Sequence, residues 1–140
     1  MDSWIFFAIL SAVFAALVAI FGKIGISGID STLATTVRAV IMAAFLVAAS
    51  LALGKAKLLS SINDKALAFI ALSGIAGAMS WLFYFFALKK GPASGVAALD
   101  RLSVVFVLIF AVLALGESLT WKSGIGAVLI AAGAILMSLR

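Results

Sequence analysis

Lys23, Arg38, Asp100 and Arg101 are charged side chains set within, or at the ends of, long apolar stretches that also hold Phe14, Trp81 and Tyr84. Such a set could hold a small polar molecule in greasy surroundings. Three cations against one acid leave +2, which favours a ligand bearing a carboxylate or a phosphate. Asp100 is the one acid inside those stretches, so it is the candidate proton carrier. Arg38 and Asp100 would orient polar ends of a ligand, and Phe14, Trp81 and Tyr84 would touch its apolar parts. The chain has no Cys and no His. Disulfides, Cys/His metal sites and histidine-activated nucleophiles are therefore excluded, and neither an enzyme nor a cofactor is expected.

The elements that must position these residues follow from composition. Hydrophobic residues make up 66% of the chain and charged residues 11%, whereas a soluble domain is about half apolar and a quarter charged. So few charges cannot clothe a water-facing surface. Five apolar runs, about 4–22, 32–53, 66–88, 93–115 and 120–139, each approach the ~20 residues that cross a bilayer. They are too long and too little alternating for spanning strands, and in hydrocarbon only a helix satisfies its own backbone. The prediction is an all-α membrane protein, one 140-residue domain of five transmembrane helices, in the cell membrane. Met1-Asp2-Ser3 offers no basic region before the first run, so that run is expected to stay as a span.

Punctuation between the runs agrees. Asp30 or Ser31 can cap the second helix, Gly54-Lys55-Ala56-Lys57 can end it, and Ser61 to Lys65 offers caps for the third. Gly91 and Pro92 suit a C′ and an N1 position, and Gly116-Glu117-Ser118 suits a tight turn. Such short loops make successive helices antiparallel neighbours.

Charge at mid-membrane costs about 2.5–3.5 kcal/mol per residue on insertion scales, so each instance needs a reason. Asp100 lies eight residues after Pro92, about 12 Å along its helix, and Arg38 seven after Ser31, about 10 Å along its own. Both helices start from the same side, where Lys23 ends the first. Asp100 is therefore expected to pair with Arg38 or Lys23, as part of a ligand site or as a packing ion pair. Arg101, a quarter-turn away, is expected to face elsewhere.

Ser73, Gly77, Trp81, Tyr84 and Leu88 share one face of the third helix, with Ser80 beside it; Ser11, Phe14, Ala15 and Val18 share one of the first. Either face could line a wet cavity or pack a neighbouring helix. On the fifth, Ser123, Ala127, Ala131, Ala134 and Ser138, with Gly124, Gly126 and Gly133 nearby, read as a close-packing interface. Trp4 and Trp121 read as interfacial anchors, and Glu117 as a cap or an ion pair with Lys122.

The formal charge of +5 comes from basic residues spread over every connection, so nucleic acid is not an expected partner. Lys55, Lys57, Lys65 and Lys122 fall on one side of the membrane, and Lys23, Lys89, Lys90 and Arg140 on the other. Four against four gives little instruction about which side is cytoplasmic. One outcome is a single topology set by something else. The other is dual topology, with copies inserted both ways up and paired antiparallel.

Trp81-Leu82-Phe83-Tyr84-Phe85-Phe86-Ala87-Leu88-Lys89-Lys90-Gly91-Pro92-Ala93-Ser94 resembles the third-helix signature of the EamA family, within the drug/metabolite transporter superfamily. Asp100-Arg101-Leu102-Ser103, Leu115-Gly116-Glu117-Ser118-Leu119-Thr120 and Gly124 to Gly133 continue the match, and Lys23 and Arg38 fit it more loosely. The resemblance implies a single five-helix repeat of a fold that is usually doubled to ten helices in opposite orientations. An antiparallel homodimer would rebuild that form. It further implies a secondary transporter, an exporter of small metabolites working by alternating access, with a cavity lined by the first, third and fourth helices. Phe14, Arg38, Trp81, Tyr84, Asp100 and Ser103 would be its substrate-binding residues and Asp100 its coupling residue, with a small-molecule substrate and membrane lipid as partners. A non-transporting subunit of a heteromeric complex and a lipid-linked sugar flippase are the alternatives. The related four-helix multidrug exporters use an acid in the first helix; the run from Trp4 to Gly22 has none.

Overall fold

The computed structural model describes residues 3–139; Met1, Asp2 and Arg140, used above for the signal and the charge count, lie outside it. Six α-helices and one 3-10 helix follow in order: α1 (Ser3–Gly25), α2 (Ser31–Ala52), a 3-10 segment (Lys55–Ser61), α3 (Asp64–Lys90), α4 (Ala93–Asp100), α5 (Ser103–Leu115) and α6 (Trp121–Ser138). No strand occurs among the described residues. Five stretches are long and apolar enough to cross a membrane, and α4 with α5 make up the fourth. The chain is an all-α membrane protein.

Local chemistry accounts for the boundaries. Asp30, not Ser31, caps α2: its Oδ1 accepts the backbone N–H groups of Thr32 (2.9 Å) and Leu33 (3.0 Å). Those bonds, Leu33's first, hold the Asp30 carboxyl below its ordinary value. Asn63 Oδ1 accepts from Ala66 N–H (2.8 Å) at the start of α3, and Thr120 and Ser123 form a reciprocal capping box at α6. Gly54 (φ 65°) and Gly116 (φ 68°) take left-handed conformations that stop α2 and α5. Pro92 stands one position earlier than expected, at the N-cap of α4.

The largest departure is inside the fourth run. No glycine or proline interrupts Val96 to Leu115, yet the helix breaks at Arg101–Leu102. Arg101 and Leu102 donate to Ala98 and Leu99, and Val104 and Val105 to Arg101 and Leu102, all three residues back. Four-residue spacing returns with Phe106 N–H to Leu102 C=O. This is a tightened 3-10 turn within a span.

The chain divides into two units. Gly25–Lys89 holds α2, the 3-10 segment and α3; the other unit holds α1 and α4 to α6. In the first, the buried residues Ile26, Ser31, Thr35, Phe85 and Leu88 gather where α2 begins and α3 ends. Thr35 Oγ1 donates to Ser31 C=O (2.7 Å), so its hydroxyl is satisfied within its own helix. No residue of α3 before Phe85 is buried. In the second, α4 packs on α6 at Gly95. A Cβ there would sit 3.3 Å from Pro92 Cγ and 3.6 Å from Met137 C=O. Ala98 of α4, Ala111 of α5 and Ala134 of α6 are buried small side chains in the same unit. Elsewhere large apolar side chains stand open, from Ile130 at 37% to Trp121 at 83%, as a surface solvated by lipid requires.

Candidate functional site

Arg38 and Trp81 meet. Arg38 lies two turns into α2 and Trp81 lies nine residues before the end of α3, each about 10–14 Å from the same end of the hairpin. The guanidinium lies over the indole face with Cζ 3.6 Å from the ring centroid, and 5.7 Å from that of Phe85. Tyr84 and Phe85 stand edge-on to Trp81, with centroids 5.5 and 6.2 Å away and planes inclined at 74° and 60°. Spacings of three and four residues place the three rings on one side of α3. Arg38, Trp81 and Tyr84 are half-buried and Phe85 is buried. This is a partly buried cation–π contact, a class worth from about 0.5–1 kcal/mol at exposed sites to about 2 kcal/mol when desolvated. Arg38 has no hydrogen-bond acceptor among the described residues.

The expected partners of Asp100 are corrected. Its carboxylate pairs with Arg101, Nη2 to Oδ2 at 3.2 Å, and the side chains are 34% and 52% exposed respectively. Neighbours on a regular helix point a quarter-turn apart. The tightened turn at the end of α4, together with the length of the arginine, lets Arg101 fold back. Lys23 instead donates Nζ to Gly91 C=O at 2.8 Å, which fastens the end of α1 to the turn between α3 and α4. In the other unit, Lys89 Nζ donates to Ile29 C=O at 3.1 Å, beside the Asp30 cap.

The remaining sequence-derived residues belong to the other unit. Ser103 is the first, exposed residue of α5, next to the break at Asp100 and Arg101, and Phe14 is exposed midway along α1. Glu117 makes no ion pair with Lys122 among the described residues. It lines a groove of about 330 Å³ between α5 and α6, with Val107, Ser123, Gly126 and Ala127. A second groove, of about 410 Å³, runs along α6 from Leu119 to Leu129 and is almost wholly apolar. Neither groove holds a charge suited to an anion. Phe85 was not singled out from the sequence. Its signal was its place four residues after Trp81, one helical turn along the same side.

No solved structure matches this chain. A protein of Sinorhizobium sp. described as "Uncharacterized transporter in cobO 3'region" is 47% identical over 137 residues, covering 98% of this chain and 97% of that protein. The model of the EamA-like transporter family matches residues 2–139. This chain of five apolar spans thus belongs to the EamA-like transporter family.

Proposed function

We propose that the protein is a secondary transporter, an exporter of small metabolites in the cell membrane that works by alternating access, and not an enzyme. Its five spans act as one repeat, and two copies of opposite orientation assemble as an antiparallel homodimer. In the assembled transporter Phe14, Trp81 and Tyr84 contact apolar parts of the cargo, and Arg38, Asp100 and Ser103 contact its polar ends. Asp100 carries the coupling proton.

The observation that carries this reading is the break in the fourth span. A short stretch of 3-10 geometry inside a helix keeps its backbone hydrogen bonds and often marks a functional hinge. Here the break coincides with Asp100, Arg101 and Ser103. The Asp100–Arg101 pair is partly exposed, so its partner can change as the carboxyl gains or loses a proton. The even count of loop charges supports insertion both ways up.

Reconstitution into liposomes with a panel of substrates and an imposed pH gradient tests the proposal. Wild type is expected to move at least one substrate against its gradient. Asp100→Asn is expected to keep downhill exchange and to lose the response to pH. Pumping by Asp100→Asn at the wild-type rate removes Asp100 from coupling. No flux from wild type with any substrate favours a non-transporting subunit.

A further inference from the structure

We infer that Arg38, seated on Trp81, is a subsite for the carboxylate of a small monoanionic cargo with an apolar body. This deepens the transport reading and rests on it. A guanidinium is planar, and its N–H donors point outward in that plane. Trp81 covers one side of the Arg38 guanidinium, with Cζ 3.6 Å from the ring centroid, which restricts how that group can turn. What remains is the rim of donors, and none of them meets an acceptor among the described residues.

A charged fork at this depth calls for an acceptor or water. By contrast, Lys23 and Lys89 hand their ammonium groups to backbone carbonyls. Arg38 is half-buried, so its rim is reachable. Carboxylates match the fork with two parallel hydrogen bonds. One cation balances one negative charge, which disfavours a dianionic phosphate in these surroundings. The stack lies about 10 Å below the helix end, beneath the level of phospholipid headgroups. Trp81 and Tyr84 beside the fork supply apolar surface for the rest of the cargo.

The reporter is built in. Of the three tryptophans, Trp4 and Trp121 can be replaced by Phe, leaving Trp81 as the lone indole. In phosphatidylcholine nanodiscs, benzoate is expected to change Trp81 emission saturably, while benzamide, the same shape without the charge, is not. Arg38→Gln is expected to abolish the response. Arg38→Lys, which keeps the charge and loses the fork, is expected to weaken apparent affinity roughly tenfold. The benzoate–benzamide comparison uses one protein, so it stands even where Arg38→Gln fails to fold. Equal responses to the two probes, or a benzoate response surviving Arg38→Gln, overturn the inference. So does an emission change produced by phosphatidylglycerol alone that benzoate cannot add to, since the guanidinium then serves a lipid headgroup. Flux of other solutes in liposomes without a benzoate response leaves transport standing and removes the carboxylate subsite. A benzoate response without flux of any solute does the reverse.

Discussion

Gly95 offers a sharp test of how the α4–α6 contact is held. Alanine there places its methyl 3.3 Å from Pro92 Cγ, 3.6 Å from Met137 C=O and 3.8 Å from Ser138 Cα. Only the first approach is tight, and a proline ring can change pucker by a few tenths of an ångström. Removing a helical glycine contributes up to about 1 kcal/mol, which offsets that adjustment, so Gly95→Ala is expected to stay within about 1 kcal/mol of wild type. Leucine is different. Its extra carbons must pass Met137 C=O and Ser138 Cα, which are backbone atoms and cannot rotate aside. Overpacking of this kind costs about 1–3 kcal/mol, here with separation of α4 from α6.

The assay is unfolding of the purified protein in mixed micelles by titrated dodecyl sulfate, followed by circular dichroism. Gly124→Leu serves as a control, because a Cβ at Gly124 meets nothing within 4 Å. Gly95→Leu should unfold at clearly lower dodecyl sulfate, and Gly95→Ala and Gly124→Leu close to wild type. A wild-type midpoint for Gly95→Leu would refute the close approach. Equal damage from Gly95→Ala and Gly95→Leu would show that Pro92 cannot give. Damage at Gly124→Leu would point to a surface covered by a second copy.

Asp30→Ala should lower the midpoint by uncapping α2, while Asp30→Asn, which can still accept from Thr32 and Leu33, should largely preserve it. Because folding lowers the Asp30 carboxyl from 3.8, its contribution is complete above that value and is lost as pH falls through the lower, folded value; acid titration of wild type against Asp30→Asn reads the difference. Lys23→Met removes a part-buried charged hydrogen bond to Gly91 and should cost about 1–2 kcal/mol in the same unfolding assay. Lys89→Met removes an exposed one to Ile29 and should cost less; the opposite order would contradict the burial of the two contacts.

What could be read in the sequence followed the strongest forces. Five spans, capping stretches around Asp30–Ser31 and Ser61–Lys65, and the turn at Gly116 are dictated by hydrophobic length and by backbone groups that must be satisfied locally; the structure selects Asp30 and Asn63. Depth along one helix was legible too, since a rise of ~1.5 Å per residue puts Arg38 about 10 Å into α2. Partner choice was not. Depth and charge made Asp100 the obvious mate for Arg38 or Lys23. Yet the guanidinium settled on an aromatic face, and the acid took the adjacent Arg101. Side-chain direction decided both outcomes, and it depends on helix rotation and a local tightening that no glycine or proline announces. The same missing signal hid the break at Arg101–Leu102.

The engaged lysines bear on topology in an unexpected way. In the folded chain, cations at the two ends of the α2–α3 hairpin are not equivalent. Lys89 is tied to Ile29 C=O, whereas Lys55, Lys57 and Lys65 have no partner among the described residues. A count of free charge in the folded state would thus favour placing the 3-10 segment on the cytoplasmic side, against anionic lipid. Orientation, however, is chosen as each span enters the membrane, before Lys89 can find Ile29 or Lys23 can find Gly91. At that moment every lysine is free and the sequence count of four against four applies. On the proposed dual topology the chain enters either way up, and the asymmetry of free charge develops only afterwards. In an antiparallel pair each leaflet then receives one 3-10 segment with Lys55 and Lys57, and Lys65 just beyond it. Adding two lysines to the 3-10 segment should bias insertion to one orientation and thereby disrupt assembly, while leaving the fold of each copy unchanged.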